Sequence, residues 1–207
     1  MKALIVVDPQ YDFFEGGNLE VKDSNKIIPI INKLTKSKEF DLVIFTKDWH
    51  PSNHKSFASQ HSGKNMFDLI ELNGIPQVLW PNHCVQNTHG SEFHHNLDLN
   101  IPNLYIFKKG MNVEVDSYSA FYENDHKTST GLTDFLKEKG VTDIFIVGIA
   151  GEYCVSYTAI DGKNDNFITY LIEDGVAYMS ENDKLKTNNN LLDNNINIIN
   201  SQYFLTQ

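Results

Sequence analysis

Five short, continuous apolar runs constrain this chain more than any other feature. They are Ala3–Val7, Leu42–Phe45, Leu104–Phe107, Ile144–Ile149 and Phe167–Ile172, all rich in β-branched or aromatic residues. A strand wetted on one face alternates apolar with polar side chains; a strand covered on both faces does not. These runs therefore predict strands of a parallel sheet with helices on both sides. Helical spacing appears between them. Ile27, Ile28, Ile31 and Leu34 repeat after a Ser24 or Asp23 cap, with Pro29 in the first turn. Leu132, Phe135 and Leu136 repeat before a Lys139-Gly140 stop, and Tyr153–Ile160 follows a run at once. The order predicts an α/β fold: an open, mostly parallel, doubly wound sheet flanked by helices, with right-handed crossovers.

At 207 residues the expectation is one domain, 1–207. The exception to the strand–helix rhythm is a long polar stretch, about 51–103, with only a weak strand near Gln77–Trp80. A connection of that length in a compact domain is usually functional. Asn188–Asn200 is read as compositional bias over a final helix and an edge strand. A net charge of −10 and the lack of a basic stripe argue against a nucleic-acid partner. The apolar N-terminal run stops at Asp8, too short for a signal peptide, and no window approaches a membrane span. Two cysteines, Cys84 and Cys154, do not make a disulfide framework. A cytoplasmic protein acting on a small, neutral or weakly charged molecule is expected. Homo-oligomerisation stays open.

The residues that end the runs carry chemistry. Asp8 ends the first and Asp48, with His50 two residues on, ends the second. Lys109 ends the third, and Cys154 follows the fourth where strand turns into helix. In open α/β sheets, ligands bind beyond the carboxyl ends of the strands, so these groups would converge. Each has a plainer reading alone. Cys154 is a buried structural thiol by default, Asp8 a turn cap, Lys109 a solvated surface lysine like Lys108. At a helix N-terminus a thiol is drawn toward thiolate. Burial would raise the pKa of Asp8 and Lys109 would lower it. Asp48 and His50 point the same way on an extended strand end, and His83 in the long stretch can fold over them. One carboxylate and two imidazoles leave open positions, as catalytic divalent sites do. His54 is a further candidate ligand. His61, His89, His94, His95 and His126 are read as surface or supporting residues, and Cys84 as packing.

These segments resemble the isochorismatase-like cysteine hydrolases, and within them the nicotinamidases, from Lys2 to about Gly175. DPQYDFFEGGNLEV (Asp8–Val21) is similar to the opening Asp-x-Gln motif. TKDWHPSNHKSFAS (Thr46–Ser59) resembles the metal motif, which isochorismatase proper lacks. LWPNHCVQNTHGSEF (Leu79–Phe93) resembles the segment with the second metal histidine. KKGMNVEVDSYSAF (Lys108–Phe121) and VGIAGEYCVSYTAID (Val147–Asp161) resemble the lysine and nucleophile segments.

The resemblance implies a catalytic triad of Asp8, Lys109 and Cys154, and an oxyanion hole from the Ala150 and Cys154 amides beside a cis peptide between Ile149 and Ala150. It implies one divalent ion, usually zinc, on Asp48, His50 and His83. It places Phe13, Trp80, Tyr118 and Tyr153 around a ring pocket. The ligand set alone also suits iron or manganese. The implied reaction converts nicotinamide and water to nicotinate and ammonia in NAD salvage. The alternatives are an amidohydrolase of the same superfamily acting on a different small amide, and a non-catalytic binding protein on the same fold. This sequence departs from the pattern at Gly151, where threonine is usual, at Glu152, where aspartate is common, and at Tyr11, where asparagine is common. The missing Gly151 side chain predicts a looser pocket.

Overall fold

The computed structural model describes residues 1–205. Strand β1 (Lys2–Val7) leads to helix α1 (Ile28–Leu34) and β2 (Leu42–Asp48). The long polar stretch carries an antiparallel hairpin, β3 (Leu69–Leu72) and β4 (Ile75–Val78). Then follow β5 (Leu104–Lys109), α2 (Leu132–Glu138), β6 (Asp143–Ile149), α3 (Ser156–Asn164), β7 (Ile168–Ala177), α4 (Glu181–Asp193), β8 (Asn197–Ile199) and α5 (Gln202–Leu205). The main sheet runs β5-β2-β1-β6-β7-β8, and every pairing in it is parallel.

The unbroken apolar runs have the cause expected of them. Along β1, Leu4 and Val6 join Ile28, Ile31 and Leu34 of α1 on one face. Ala3, Ile5 and Val7 join Leu132 and Leu136 of α2 and Ala159 of α3 on the other. All five β1 residues are fully buried. Burying a side chain of this size contributes about 1.5–3 kcal/mol, so both faces reward apolar residues at every position.

Three local expectations differ. Ser24 and Asp23 do not cap α1. Asp23 takes a left-handed conformation (φ 60°), a 3-10 turn precedes the helix, and the Asp23 carboxylate pairs with Lys26 at 2.8 Å. The last long helix starts earlier than the Asn-rich stretch, at Glu181, because the Ser180 side chain accepts the Asp183 amide. Between β6 and α3 lies a π-helical turn, residues 151–155, so Cys154 sits in that turn and not in the first turn of α3.

The chain winds outward from β1 to β2 and β5, then returns to β6 and winds the other way. The order therefore reverses between β1 and β6, which is where such sheets leave a crevice at their carboxyl ends. Gly148 lets β6 approach β1 there. Its φ is +127°, and a Cβ on it would lie 2.2 Å from the Val7 carbonyl oxygen.

Candidate active site

Asp8 leaves β1 at the crevice in a left-handed conformation (φ 47°) and is fully buried. The Thr46 hydroxyl donates to Asp8 Oδ1 at 2.6 Å, and the Asp8 amide donates to Thr46 Oγ1 at 3.0 Å. Gln10 joins the ends of β1 and β2. Its Oε1 accepts the Asp48 amide and its Nε2 donates to the Asp48 carbonyl, both at 2.7 Å. Lys109, at the end of β5, reaches across β2 toward both carboxylates. Its Nζ donates to Asp48 Oδ1 at 2.5 Å and to the Ser117 carbonyl at 2.7 Å. It lies 2.9 Å from Asp8 Oδ2 and 3.5 Å from Cys154 Sγ. The Asp8 Oδ2 contact is a charge contact without hydrogen-bond alignment, so that oxygen keeps capacity for a proton. Candidate oxygens of Asp8 and Asp48 and the Cys154 sulfur all lie within 4.8 Å of one another.

Burial dominates the electrostatics. It raises the Asp8 pKa to about 6, against the opposing pull of Lys109. Burial also opposes charge on Asp48, but Lys109, His50 and His83 outweigh it and hold that carboxyl well below its ordinary range. Burial likewise opposes charge on Lys109, yet Asp48 and Asp8 push its pKa well up. The Cys154 thiol is pushed well above its usual value by burial, with Lys109 opposing and Asp8 and Asp48 adding to the rise. Burial beside two carboxylates outweighs the pull toward thiolate that the end of a helix exerts. The sulfur is buried beside two carboxylates, and it needs a proton acceptor at hand. Asp8, with an elevated pKa and an unaligned oxygen, is chemically suited to accept one.

On the other side of Asp48 stand three imidazoles. His50 Nε2 is 3.6 Å and His83 Nε2 3.9 Å from Asp48 Oδ2. His50 Nδ1 faces the Gly110 carbonyl and His83 Nδ1 the Pro81 carbonyl, each at 2.8 Å. A carbonyl can only accept, so each Nδ1 carries the ring proton and each Nε2 offers a lone pair toward Asp48. Burial lowers the His83 pKa to about 4. Burial opposes charge on His50 as well, but Asp48 overrides it and raises its pKa. A proton drawn to that position is the charge a divalent cation would replace. These donors fit such an ion.

His54 fits less well. Its ring centroid is 4.4 Å from that of His50, and burial lowers its pKa to about 4. Its Nδ1 accepts the Ser56 amide at 3.2 Å and meets the Ser56 hydroxyl at 2.7 Å. The proton of the neutral ring is then on Nε2, which is buried without a hydrogen-bond partner. In the neutral ring that atom offers a proton, not a lone pair.

A small, mainly apolar cavity opens over Cys154. The four aromatic residues expected there, Phe13, Trp80, Tyr118 and Tyr153, line it with Ala150 and His83. Trp80 and Tyr153 meet edge-on with centroids 4.9 Å apart, and Trp80 Nε1 donates to the Tyr118 hydroxyl at 3.2 Å. Gln77 Nε2 donates to that hydroxyl and to Asp116 Oδ2, fixing the wall from behind. The Ile149–Ala150 peptide is cis, and the Ala150 carbonyl accepts the Tyr153 and Val155 amides. Leu19, Asp116 and Met179 also line the cavity, and sequence reasoning did not name them. Asp116 lies in the quoted lysine segment and was recoverable. Leu19 and Met179 are apolar loop residues with no distinguishing signal. The looser pocket expected from Gly151 is not found: a Cβ there would lie 2.2 Å from the Tyr178 ring, which fills the space. Cys84 is buried with its amide on Asp12, and exposed Lys108 stacks over Trp49.

Residues 2–202 match the isochorismatase domain family. The chain belongs to that family. Its relatives narrow the comparison. A nicotinamidase from Acinetobacter baylyi is 50% identical over 184 residues, covering 89% of this chain and 85% of that one. The yeast nicotinamidase, solved bound to the inhibitor nicotinaldehyde, superposes with a TM-score of 0.91 at 31% identity and covers 97% of this chain and 100% of its own. A pyrazinamidase from Pyrococcus horikoshii, solved in complex with zinc, gives a TM-score of 0.80 at 35% identity, covering 96% and 98%. Among the described residues, no helix is long and apolar enough to cross a membrane.

Proposed function

We propose that this chain hydrolyses nicotinamide to nicotinate and ammonia as one hydrolase domain, with residues 51–103 supplying part of its metal and substrate loop. The observation that carries this reading is the meeting of Lys109 with Asp8 and Cys154 within ion-pair or hydrogen-bond reach beside a small cavity lined by aromatic residues. The nicotinamidase relatives supply the substrate. The free, buried cysteines fit a reducing cytoplasm.

Nicotinamide is a planar pyridine with a carboxamide. Its ring packs among Phe13, Trp80, Tyr118 and Tyr153. Asp8 takes the thiol proton, and Cys154 Sγ attacks the amide carbon as the carbonyl pair moves onto oxygen. The Ala150 and Cys154 amides hold that oxyanion, each donor contributing about 3 kcal/mol. Lys109 keeps the paired carboxylates neutralised and the sulfur oriented. On collapse, Asp8 returns the proton to the departing nitrogen, and ammonia leaves. Water then loses a proton to Asp8 and adds to the thioester; the sulfur departs, regains the proton, and nicotinate is released. Asp48, His50 and His83 would hold a divalent ion, zinc being the first choice on the P. horikoshii relative. Such an ion would supply a Lewis acid for the ring nitrogen and draw electron density from the amide.

The deciding assay is ammonia release from nicotinamide, with and without chelator. Ammonia that is lost on chelation and restored by zinc is expected. No ammonia from nicotinamide, at any metal loading, would reject the substrate; chelator-resistant turnover would reject the metal. The pH profile gives a separate check. Asp8 must be ionised to accept the thiol proton, and burial sets its pKa at about 6. As pH falls through that value the base is protonated, so kcat/KM should drop about tenfold per unit below pH 6. Because Asp8, Asp48 and Lys109 interact, the midpoint belongs to the group as a whole. A flat profile down to pH 4.5 would exclude Asp8 as the base.

A further inference from the structure

Met179 is half-buried and borders two hollows at once. One is the apolar cavity over Cys154. The other is a wider, open groove lined by Lys22, Lys26, Glu181 and Lys184. Met179 thus belongs to the lining of both, and its side chain is flexible and unbranched.

The wall is held in register with the nucleophile from outside the cavity. The Met179 amide donates to the Glu152 carboxylate, 3.0 Å to Oε1 and 3.4 Å to Oε2. Glu152 lies two residues before Cys154 in the same turn. The neighbouring Tyr178 ring fills the place of a Gly151 side chain, and its hydroxyl donates to Asn188 Oδ1 at 2.9 Å. The segment cannot shift toward the nucleophile turn without driving its Tyr178 ring into Gly151, nor away from it without breaking the Glu152 contacts. The width of the ring cavity is thereby fixed by residues 151, 152 and 178.

We propose that Met179 is a specificity-determining residue: it closes the cavity around an unsubstituted six-membered ring and excludes nicotinamides bearing bulk toward the outer groove, while Glu152 is the positioning residue that sets the wall. The proposal rests on the nicotinamide reading. Shortening Met179 to alanine joins cavity and groove, so a ring substituent gains somewhere to go. Pocket sterics of this size discriminate by about 10–200-fold.

The test compares ammonia release from nicotinamide and from nicotinamides carrying one methyl or one phenyl group at each free ring carbon. Wild type should favour nicotinamide. Met179→Ala should raise kcat/KM for a phenyl derivative relative to nicotinamide by at least about tenfold at one ring position. Glu152→Ala should move the same ratio in the same direction. Glu152→Gln, whose side-chain carbonyl still accepts the Met179 amide, should keep the wild-type ratio. A wild type that takes every phenyl derivative as well as nicotinamide, or a folded Met179→Ala with unchanged ratios at all positions, overturns the specificity role. Equal loosening in Glu152→Ala and Glu152→Gln overturns the tether. A wild type silent on nicotinamide itself is recognised separately, because the function then fails before any ratio exists.

Discussion

Cys154→Ala should lower ammonia release from nicotinamide by at least about 10⁴-fold while leaving the fold in place. The change deletes one sulfur and inserts nothing. Neither neighbour replaces it: Lys109 is held as a cation by two carboxylates, and the Thr46 hydroxyl is engaged with Asp8 Oδ1 and the Asp8 amide. The other thiol, Cys84, lies under the loop with its sulfur 4.0 Å from the Gly90 carbonyl oxygen, and burial pushes its pKa well up. The Asp8–Lys109–Asp48 contacts do not involve the sulfur, so melting temperature should stay within about 3 °C. Calorimetry and single-turnover ammonia release check both halves. Turnover within tenfold of wild type would remove Cys154 from the mechanism.

Lys109→Met should act on the fold as well as on the chemistry. The Lys109 side chain is 1% exposed and lies between two buried carboxylates. Removing the cation leaves Asp8 without a counter-charge and Asp48 with only the imidazoles of His50 and His83 beside it, and breaking a buried pair in this way costs about 3–5 kcal/mol. The loss should depend on pH. Without the ammonium both carboxyl pKa values move up, so the native state holds protons that the unfolded chain has released. Between the unfolded carboxyl value and the raised native one, stability then falls as pH rises. Denaturant melts should therefore show Lys109→Met closer to wild type at pH 5 than at pH 8. A pH-independent difference would mean that the ammonium is not the counter-charge of both carboxylates. Activity should fall with it, since an unpaired Asp8 holds its proton more tightly and is a poorer acceptor at neutral pH.

The parts of the molecule that could be read from sequence share a physical reason. Burial on both faces writes itself into unbroken apolar runs, and a polar residue that ends such a run stands out. Asp8, Asp48 and Lys109 were visible in that way. So was Cys154, although its π-helical turn was not: one extra residue per turn leaves no mark on composition. Two features were hidden because they are tertiary. Thr46 looks like an ordinary strand threonine until its hydroxyl is seen on Asp8. Gly151 looks like a gap until Tyr178, 27 positions later, is seen to fill it. The Ser24/Asp23 cap failed for a local reason, since Asp23 instead turns left-handed and pairs with Lys26. His54 shows the limit from the other side. Its place in the histidine-rich motif was plain, but only the Ser56 amide reveals which ring nitrogen carries the proton.

Asp48 gives one oxygen to the ammonium and turns the other toward the imidazoles. Its two lone-pair faces thus belong to separate machines, and damage at this single position disables both together. A genetic screen for lesions that spare proton transfer while abolishing ion capture should then recover changes at His83 and none at position 48.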